Sequence, residues 1–114
     1  MNILILGAGQ VGSELTEILS EDGHSITLVD LDAEKLEKES EQHDIKTICG
    51  NCCYPQTLEN ANVQETELAI AMTEWDEVNL VACQMIKHLN KKTRIHFRFF
   101  VTSIKSILQR LLNL

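Results

Sequence analysis

Three glycines near the start of the chain have the spacing of a phosphate-binding turn. The G-x-G-x-x-G pattern consists of Gly7, Ala8, Gly9, Gln10, Val11 and Gly12. It follows a short apolar run and opens a helical stretch, and this context distinguishes a nucleotide site from an ordinary glycine-rich turn. In such a site, backbone N–H groups and the positive end of the helix dipole face the phosphates. We therefore expect this turn to contact a bound nucleotide.

An acidic residue closes the second apolar run, about 20 residues after the glycines, as the pattern requires. This residue is Asp30, and Leu31 follows it at the same turn. A carboxylate at this place accepts hydrogen bonds from the two hydroxyls of an adenosine ribose and repels a 2′-phosphate. The sequence therefore favours NAD, ATP or ADP over NADP, with Lys35 supplying a positive charge nearby.

Two later turns also follow predicted strands. The turn after the third strand contains Asn51 and Cys52, and the turn after the fourth contains Thr73 and Glu74. Thr73 ends the fourth strand beside the glycine turn, so its hydroxyl and backbone can reach a ligand. Asn51, Cys52 and Glu74 are further candidate contacts. Asn79, early in the next helix, has an amide that either contacts the nucleotide or caps the neighbouring loop.

Apolar runs of strand length alternate with helical stretches along the chain. The predicted strands are 2–6, 25–30, 45–49, 68–72 and 94–101, and the predicted helices are 13–22, 33–42, 56–61 and 74–89. This order predicts an α/β fold of the Rossmann type, a doubly wound parallel sheet with strand order 3-2-1-4-5 and helices on both faces. We expect residues 1–101 to form the nucleotide-binding domain.

Residues 102–114 have the spacing of a C-terminal amphipathic helix. Its apolar positions are Ile104, Ile107, Leu108, Leu111 and Leu112. The helix packs either on the sheet of its own domain or against a second copy of the chain, as a dimer contact.

Size and charge restrict the class of protein. The chain has 114 residues, 44% of them hydrophobic, and a net charge of −7. This length is that of one domain, and the acidic balance argues against nucleic acid or an anionic membrane surface as partners. No apolar stretch approaches the roughly 18 residues that span a bilayer, and the N-terminus lacks a basic signal-peptide region. We expect a soluble cytoplasmic protein with no direct membrane insertion.

The cysteines are the strongest competing signal. Cys49 and Cys52 form a C-x-x-C pattern, and Cys53 follows directly. Such a pattern is compatible with a redox pair, with thiolate ligands for zinc, or with thiols that are buried or line a ligand site. We favour the last, because Cys49 ends an apolar strand and no second ligand pair exists. The histidines have neither metal-site spacing nor a partner nucleophile, so we predict no metal site and no catalytic residues.

With these residues the chain resembles the N-terminal RCK or KTN nucleotide-binding domain of TrkA-type potassium-uptake regulators. The resemblance covers roughly the first 95 residues and rests on the glycine turn, the strand ending in Asp30, and the segments 68–73, 76–79 and 81–84. The sequence departs from the family at Cys52 and Cys53, where the family usually has a small residue and a residue with a hydroxyl group. After Ile95 the similarity to the family becomes weaker.

The resemblance implies a cytoplasmic regulatory subunit, peripheral at the membrane through its partner. It implies that the subunit binds NAD(H), ATP or ADP, forms a homodimer or higher homo-oligomer, and gates a membrane potassium translocator. By position in the family, residues 7–11 would hold the phosphates, Asp30 the ribose, and Thr73 and Glu74 the far side. An arginine on the fifth strand also approaches the ligand in the family, and Arg98 is the nearest candidate here, with Arg94 second.

Two other functions stay open from the sequence. One is an NAD-dependent oxidoreductase or a fragment of one, which would need an acid–base group and a substrate domain. The other is a thiol redox sensor that uses the cysteines at 49, 52 and 53. We favour the non-catalytic sensor because the nucleotide pattern is intact and the chain has no room for a substrate domain.

Overall fold

A computed structural model of the chain describes residues 1–97. The strands are β1 Asn2–Leu6, β2 Ser25–Asp30, β3 Lys46–Cys49, β4 Leu68–Ala71 and β5 Arg94–Phe97. The helices are α1 Gln10–Glu21, α2 Ala33–Gln42, α3 Pro55–Asn60 and α4 Asp76–Leu89. The strands form one parallel sheet in the order β3-β2-β1-β4-β5. The predicted fold class and strand order are confirmed.

The central strand is apolar at every position after Asn2 because both of its faces are covered. Leu4 and Leu6 belong to one core cluster, which includes side chains of α3 and α4. Ile3 and Ile5 point to the opposite face and join a second cluster with residues of α1 and α2. The alternation places one helical layer on each face of the sheet, as the doubly wound fold requires.

Some element boundaries differ from those predicted. Helix α1 begins at Gln10 instead of residue 13, and α4 begins at Asp76 instead of residue 74. Helix α3 begins at Pro55, whose fixed φ suits the first helical position. A 3₁₀ turn, Val63–Glu65, was not predicted; it is entered through Asn62 in the left-handed conformation, with φ of 65°. The described part of the fifth strand ends at Phe97.

Three expectations lie outside the described residues. These are Arg98, the domain boundary at residue 101, and the amphipathic helix 102–114. Within residues 1–97, no helix combines the length and hydropathy that crossing a bilayer demands.

In the middle of the sheet, the neighbouring strands β1 and β4 lead to helices on opposite faces. β1 pairs with both β2 and β4, and the chain leaves β1 for the α1 layer but leaves β4 for the α4 layer. A crevice forms at the carboxyl ends of strands that diverge in this way, and ligands bind there.

Candidate nucleotide-binding site

A cavity of about 290 Å³ opens at this crevice. Nine of the residues predicted to bind a nucleotide line it: Gly7, Gly9, Gln10, Asp30, Leu31, Asn51, Cys52, Thr73 and Glu74. They come from four separate turns, after β1, β2, β3 and β4. The volume lies just below the usual range of about 300–1,000 Å³ for ligand pockets.

The other predicted contacts lie elsewhere. Ala8 is buried beside the cavity and Val11 is exposed on α1, while Gly12 and Asn79 are buried. None of these four lines the cavity. Of the predicted contacts, only Arg98 lies outside the described residues.

The three glycines of the turn serve different purposes. Gly7 has a φ of 106°, and a Cβ there would lie 2.9 Å from the backbone of Met72 and Thr73. A Cβ on Gly12 would lie 1.8 Å from the carbonyl oxygen of Gly7. Around Gly9, by contrast, no described heavy atom outside its own stretch of chain lies within 4 Å of such a Cβ. Two glycines therefore permit packing, and Gly9 leaves room over the backbone on the cavity side.

The N-terminus of α1 has features that favour the binding of an anion. Its N-cap is Gly9, and within residues 1–97 no side chain caps its first N–H groups and no acid occupies its first turn. Helix α2 differs, because the Asp32 carboxylate accepts hydrogen bonds from the backbone N–H of Glu34 and Lys35. Uncapped N–H groups and the helix dipole favour a negatively charged group at the first helix.

The carboxylate of Asp30 connects the two sides of this turn. Its Oδ2 accepts a hydrogen bond from the backbone N–H of Ala8 at 2.7 Å, and its Oδ1 accepts one from Asp32 at 2.8 Å. A carboxylate has about four acceptor positions, so both oxygens retain capacity for ribose hydroxyls. The acid therefore shapes the turn and also lines the cavity.

Asn79 supports the side of the cavity that the turn after β4 forms. Its Oδ1 accepts hydrogen bonds from the backbone N–H of Thr73 at 3.0 Å and from the Thr73 hydroxyl at 2.6 Å, and its Nδ2 donates to the Thr73 carbonyl at 3.1 Å. The side chain is fully buried. Of the two roles that the sequence left open, the structure gives Asn79 that of capping the loop. A direct contact between Asn79 and the nucleotide stays a prediction.

The turn after β3, which contains Cys52 and Cys53, forms another side of the cavity. The Asn51 side chain accepts a hydrogen bond from the backbone N–H of Cys53 at 2.9 Å, which closes the turn. Burial raises the pKa of Cys52 to about 12 and that of Cys83 to about 11, and it also raises the pKa of Cys53. These thiols therefore stay protonated at neutral pH, and a protonated thiol is a poor nucleophile.

The four cysteines are free thiols. In the part of the chain that the structure describes, no three His, Cys, Asp or Glu residues are placed to hold a metal ion. Cys49 is exposed, with its Sγ 3.4 Å from the carbonyl oxygen of Leu31. The arrangement favours cysteines that line or underlie the cavity over a redox pair.

Sequence reasoning missed some of the lining residues. Met72, Val78 and Trp75 line the cavity, and so does Lys35, which the sequence placed near the acid without assigning it to the site. Trp75 is 60% exposed. Its position within the turn after the fourth strand was a usable signal, because that turn already supplied two predicted contacts.

Comparison with known families decides the relationship of this chain. The model of the TrkA-N domain family matches residues 3–112. The chain belongs to the TrkA-N domain family. This family assignment confirms the resemblance seen in the sequence, and the glycine turn, Asp30 and the Thr73–Asn79 segment all lie within the match.

Curated relatives of this TrkA-N domain are potassium-uptake proteins. The Trk system potassium uptake protein TrkA of Halomonas elongata is 45% identical over 85 residues, 75% of this chain and 19% of that protein. The protein of the same name from Haemophilus influenzae is 44% identical over 96 residues, 83% of this chain and 21% of that protein. The chain thus spans about a fifth of the length of these relatives.

Solved structures share the fold at low sequence identity. The Kef CTD of Shewanella denitrificans, in its AMP-bound form, has a TM-score of 0.79 at 18% identity. The match covers 97% of this chain and 67% of the Kef chain. The GsuK channel bound to NAD has a TM-score of 0.75 at 23% identity, covering 96% and 20%. Saccharopine dehydrogenase of Saccharomyces cerevisiae has a TM-score of 0.72 at 15% identity, covering 94% and 23%. These likenesses support the Rossmann-type fold.

Proposed function

We propose that this TrkA-N domain is a regulatory, non-catalytic nucleotide sensor of a potassium-uptake system. It binds NAD(H), or ATP or ADP, in the cavity at the carboxyl ends of β1, β2 and β4. The observation that carries the proposal is the combination of an uncapped α1 N-terminus, open space over Gly9, and a carboxylate at Asp30.

Each part of the nucleotide has a proposed place. The phosphates lie over Gly9 and Gln10, where the first N–H groups of α1 donate to them. Asp30 accepts hydrogen bonds from the ribose hydroxyls, and Leu31 lies beside it in the cavity. The positive charge of Lys35, which also lines the cavity, offsets part of the phosphate charge.

Other proposed contacts complete the walls. Asn51 and Cys52 lie on the side of β3, and Thr73 and Glu74 lie on the side of β4. Arg98, which lies outside the described residues, remains a proposed contact. Ala8 acts through its hydrogen bond to the ribose acid instead of through contact with the ligand.

The proposed partner is a membrane potassium translocator, which this subunit would meet from the cytoplasm as a homodimer or higher homo-oligomer. The names of the relatives support this partner, since they are potassium-uptake proteins. Regulation requires that the nucleotide bind two arrangements of the assembly with different affinity, because a ligand with equal affinity for both shifts nothing.

Calorimetric titration of the chain with NADH, NAD, ATP, ADP and NADP tests the binding step. We expect at least one of the first four to bind and NADP to bind more weakly, because the Asp30 carboxylate repels its 2′-phosphate. Absence of heat from all of the first four at millimolar concentration would overturn the proposal. Co-purification with a tagged translocator, with and without the bound nucleotide, tests the partner.

An NAD-dependent oxidoreductase is the second candidate, and the fold shared with a dehydrogenase favours it. It predicts oxidation of NADH by some member of a panel of aldehydes, ketones and imines. The sensor predicts that the absorbance of NADH stays constant with every member of the panel.

A further inference from the structure

Trp75 is a large aromatic side chain that the fold leaves in water. It is 60% exposed and lines the nucleotide cavity, in the turn between β4 and α4. Tryptophan is highly buried on average, and burying such a ring stabilises a fold by removing apolar area from water. Exposure at the mouth of a cavity therefore indicates a ring that is covered when the cavity is filled.

The turn holds the backbone of Trp75 in one place. Its N–H donates to the Thr73 hydroxyl at 3.3 Å, and its carbonyl accepts from the N–H of Asn79 at 3.0 Å. Thr73 in turn is held by the buried amide of Asn79. A ring on a fixed backbone loses little conformational freedom when a second ring stacks on it, which favours binding.

The sheet order places Trp75 and Asp30 on opposite sides of the phosphate turn. Asp30 ends β2 and Trp75 follows β4, while β1, which leads into the glycine turn, lies between those two strands. A nucleotide with its ribose at Asp30 and its phosphates over Gly9 thus extends toward Trp75 only with the part beyond the phosphates. ADP has no group beyond its two phosphates, and ATP has only a third phosphate there.

The chemistry of that side suits a ring better than a phosphate. Glu74 lines the cavity next to Trp75, and its carboxylate repels an additional phosphate group. An indole face attracts flat aromatic rings and cations. The second nucleoside of a dinucleotide brings a nicotinamide ring, which is uncharged when reduced and positively charged when oxidised.

We propose that Trp75 is a stacking platform for the nicotinamide ring, which makes this site selective for the dinucleotide NAD(H) over ADP and ATP. The proposal rests on the proposed function and names the ligand class of the same site. Trp75 acts as a specificity residue, and the adenosine half is held by Asp30 in either class of nucleotide.

Substitution separates this role from a structural one. We expect Trp75→Ala to weaken NADH binding about 10-fold, the scale of one lost stacking contact, and to leave ADP binding unchanged. Trp75→Phe keeps an aromatic face and should retain most of the affinity. Tyr54→Ala is the matched control, because Tyr54 is an aromatic residue of similar exposure, 62%, that does not line the cavity. Unchanged NADH affinity in Trp75→Ala, or an equal loss for ADP, would overturn the proposal.

Fluorescence gives a direct readout, because Trp75 is the one tryptophan of the chain. We expect NADH to quench its emission, with energy transfer to the dihydronicotinamide, and ADP to leave it nearly unchanged. If calorimetry shows NADH bound while the emission of Trp75 is unaffected, the stacking role fails and the sensor stands. If the wild-type chain binds no nucleotide, both the stacking role and the proposed function fail. If the emission spectrum of Trp75 shifts with protein concentration and does not respond to NADH, the ring lies in a contact between two copies of the chain. That result also overturns the stacking role.

Discussion

The Asp30 carboxylate accepts a 2.7 Å hydrogen bond from the backbone N–H of Ala8, across 22 positions of sequence. The acid proposed to bind the ribose thus also fixes the turn proposed to bind the phosphates. Its other oxygen accepts the N–H of Asp32 at 2.8 Å, which anchors the start of α2. Loss of this side chain should affect the stability of the fold and its affinity for nucleotide together.

Asp30→Ala should lower the free energy of unfolding by about 1–3 kcal/mol, because two backbone N–H groups lose a charged acceptor. It should also weaken NADH or ADP binding by about 1–3 kcal/mol, since the ribose hydroxyls lose the same acceptor. Urea denaturation measures the first change and calorimetry the second.

Asp32→Ala is the matched control for that substitution. Asp32 caps α2 and does not line the cavity, so its loss should cost about 1 kcal/mol of stability with little change in affinity. Equal affinity in Asp30→Ala and the wild type would show that the ribose lies elsewhere.

Gly9→Ala should separate binding from folding. Its Cβ meets no described heavy atom beyond its own stretch of chain, and the φ of Gly9 is an ordinary −74°. Stability should therefore change by no more than about 0.5 kcal/mol. Affinity for NADH should fall about 10-fold or more, because the methyl group occupies the space through which a phosphate reaches the backbone.

Gly12→Ala should show the opposite behaviour. Its Cβ would lie 1.8 Å from the Gly7 carbonyl oxygen, which forces α1 away from the turn and should cost about 3 kcal/mol or more. Thermal unfolding of both variants, paired with titrations, checks the contrast. A Gly9→Ala variant that binds as tightly as the wild type would place the phosphates away from this turn.

Asn79→Ala should destabilise the fold by about 2–4 kcal/mol, because the buried amide makes three hydrogen bonds to Thr73, and the backbone N–H and carbonyl of Thr73 would lose their partner. The turn that carries Trp75 should loosen as well. Hydrogen exchange of the Thr73 and Trp75 amides measures the loosening. Protection equal to that of the wild type would show that other contacts hold this turn.

The order of strand, glycine turn, helix and strand in the first thirty residues was predictable because the information in them is local. A strand-length apolar run, the glycine pattern and a terminal acid lie within one βαβ unit, and each has a direct physical meaning. The strand order followed from the alternation of elements and was confirmed. The family was likewise recognisable from short motifs, and the family match confirmed it.

What the sequence could not give depends on side-chain direction and on loop geometry. Both roles of Asn79 were compatible with its position early in a helix, and only the buried geometry shows the hydrogen bonds by which it caps the loop. The start of α4 was placed two residues early because hydrogen bonds among Thr73, Trp75 and Asn79 keep residues 74 and 75 out of the helix. Trp75 became a candidate only when the sheet brought its turn to the cavity.

The cysteines provide a last prediction. Burial raises the pKa of Cys52 to about 12 and that of Cys83 to about 11, from 9.0 for an ordinary thiol. At pH 8 a thiol reagent should therefore modify the exposed Cys49 first, and bound NADH should slow the modification of Cys52, which lines the cavity.

The same shifts make stability depend on pH in a defined direction. Between about pH 9 and pH 12 the unfolded chain has lost these thiol protons while the folded chain retains them. The unfolded state then binds fewer protons, so the free energy of unfolding falls as pH rises through this window. Urea denaturation at pH 8 and pH 10.5 measures the fall, and the Cys52→Ala, Cys83→Ala double variant should lessen it. Rapid modification of Cys52 at pH 8 in the absence of ligand would contradict the assignment and restore the redox hypothesis.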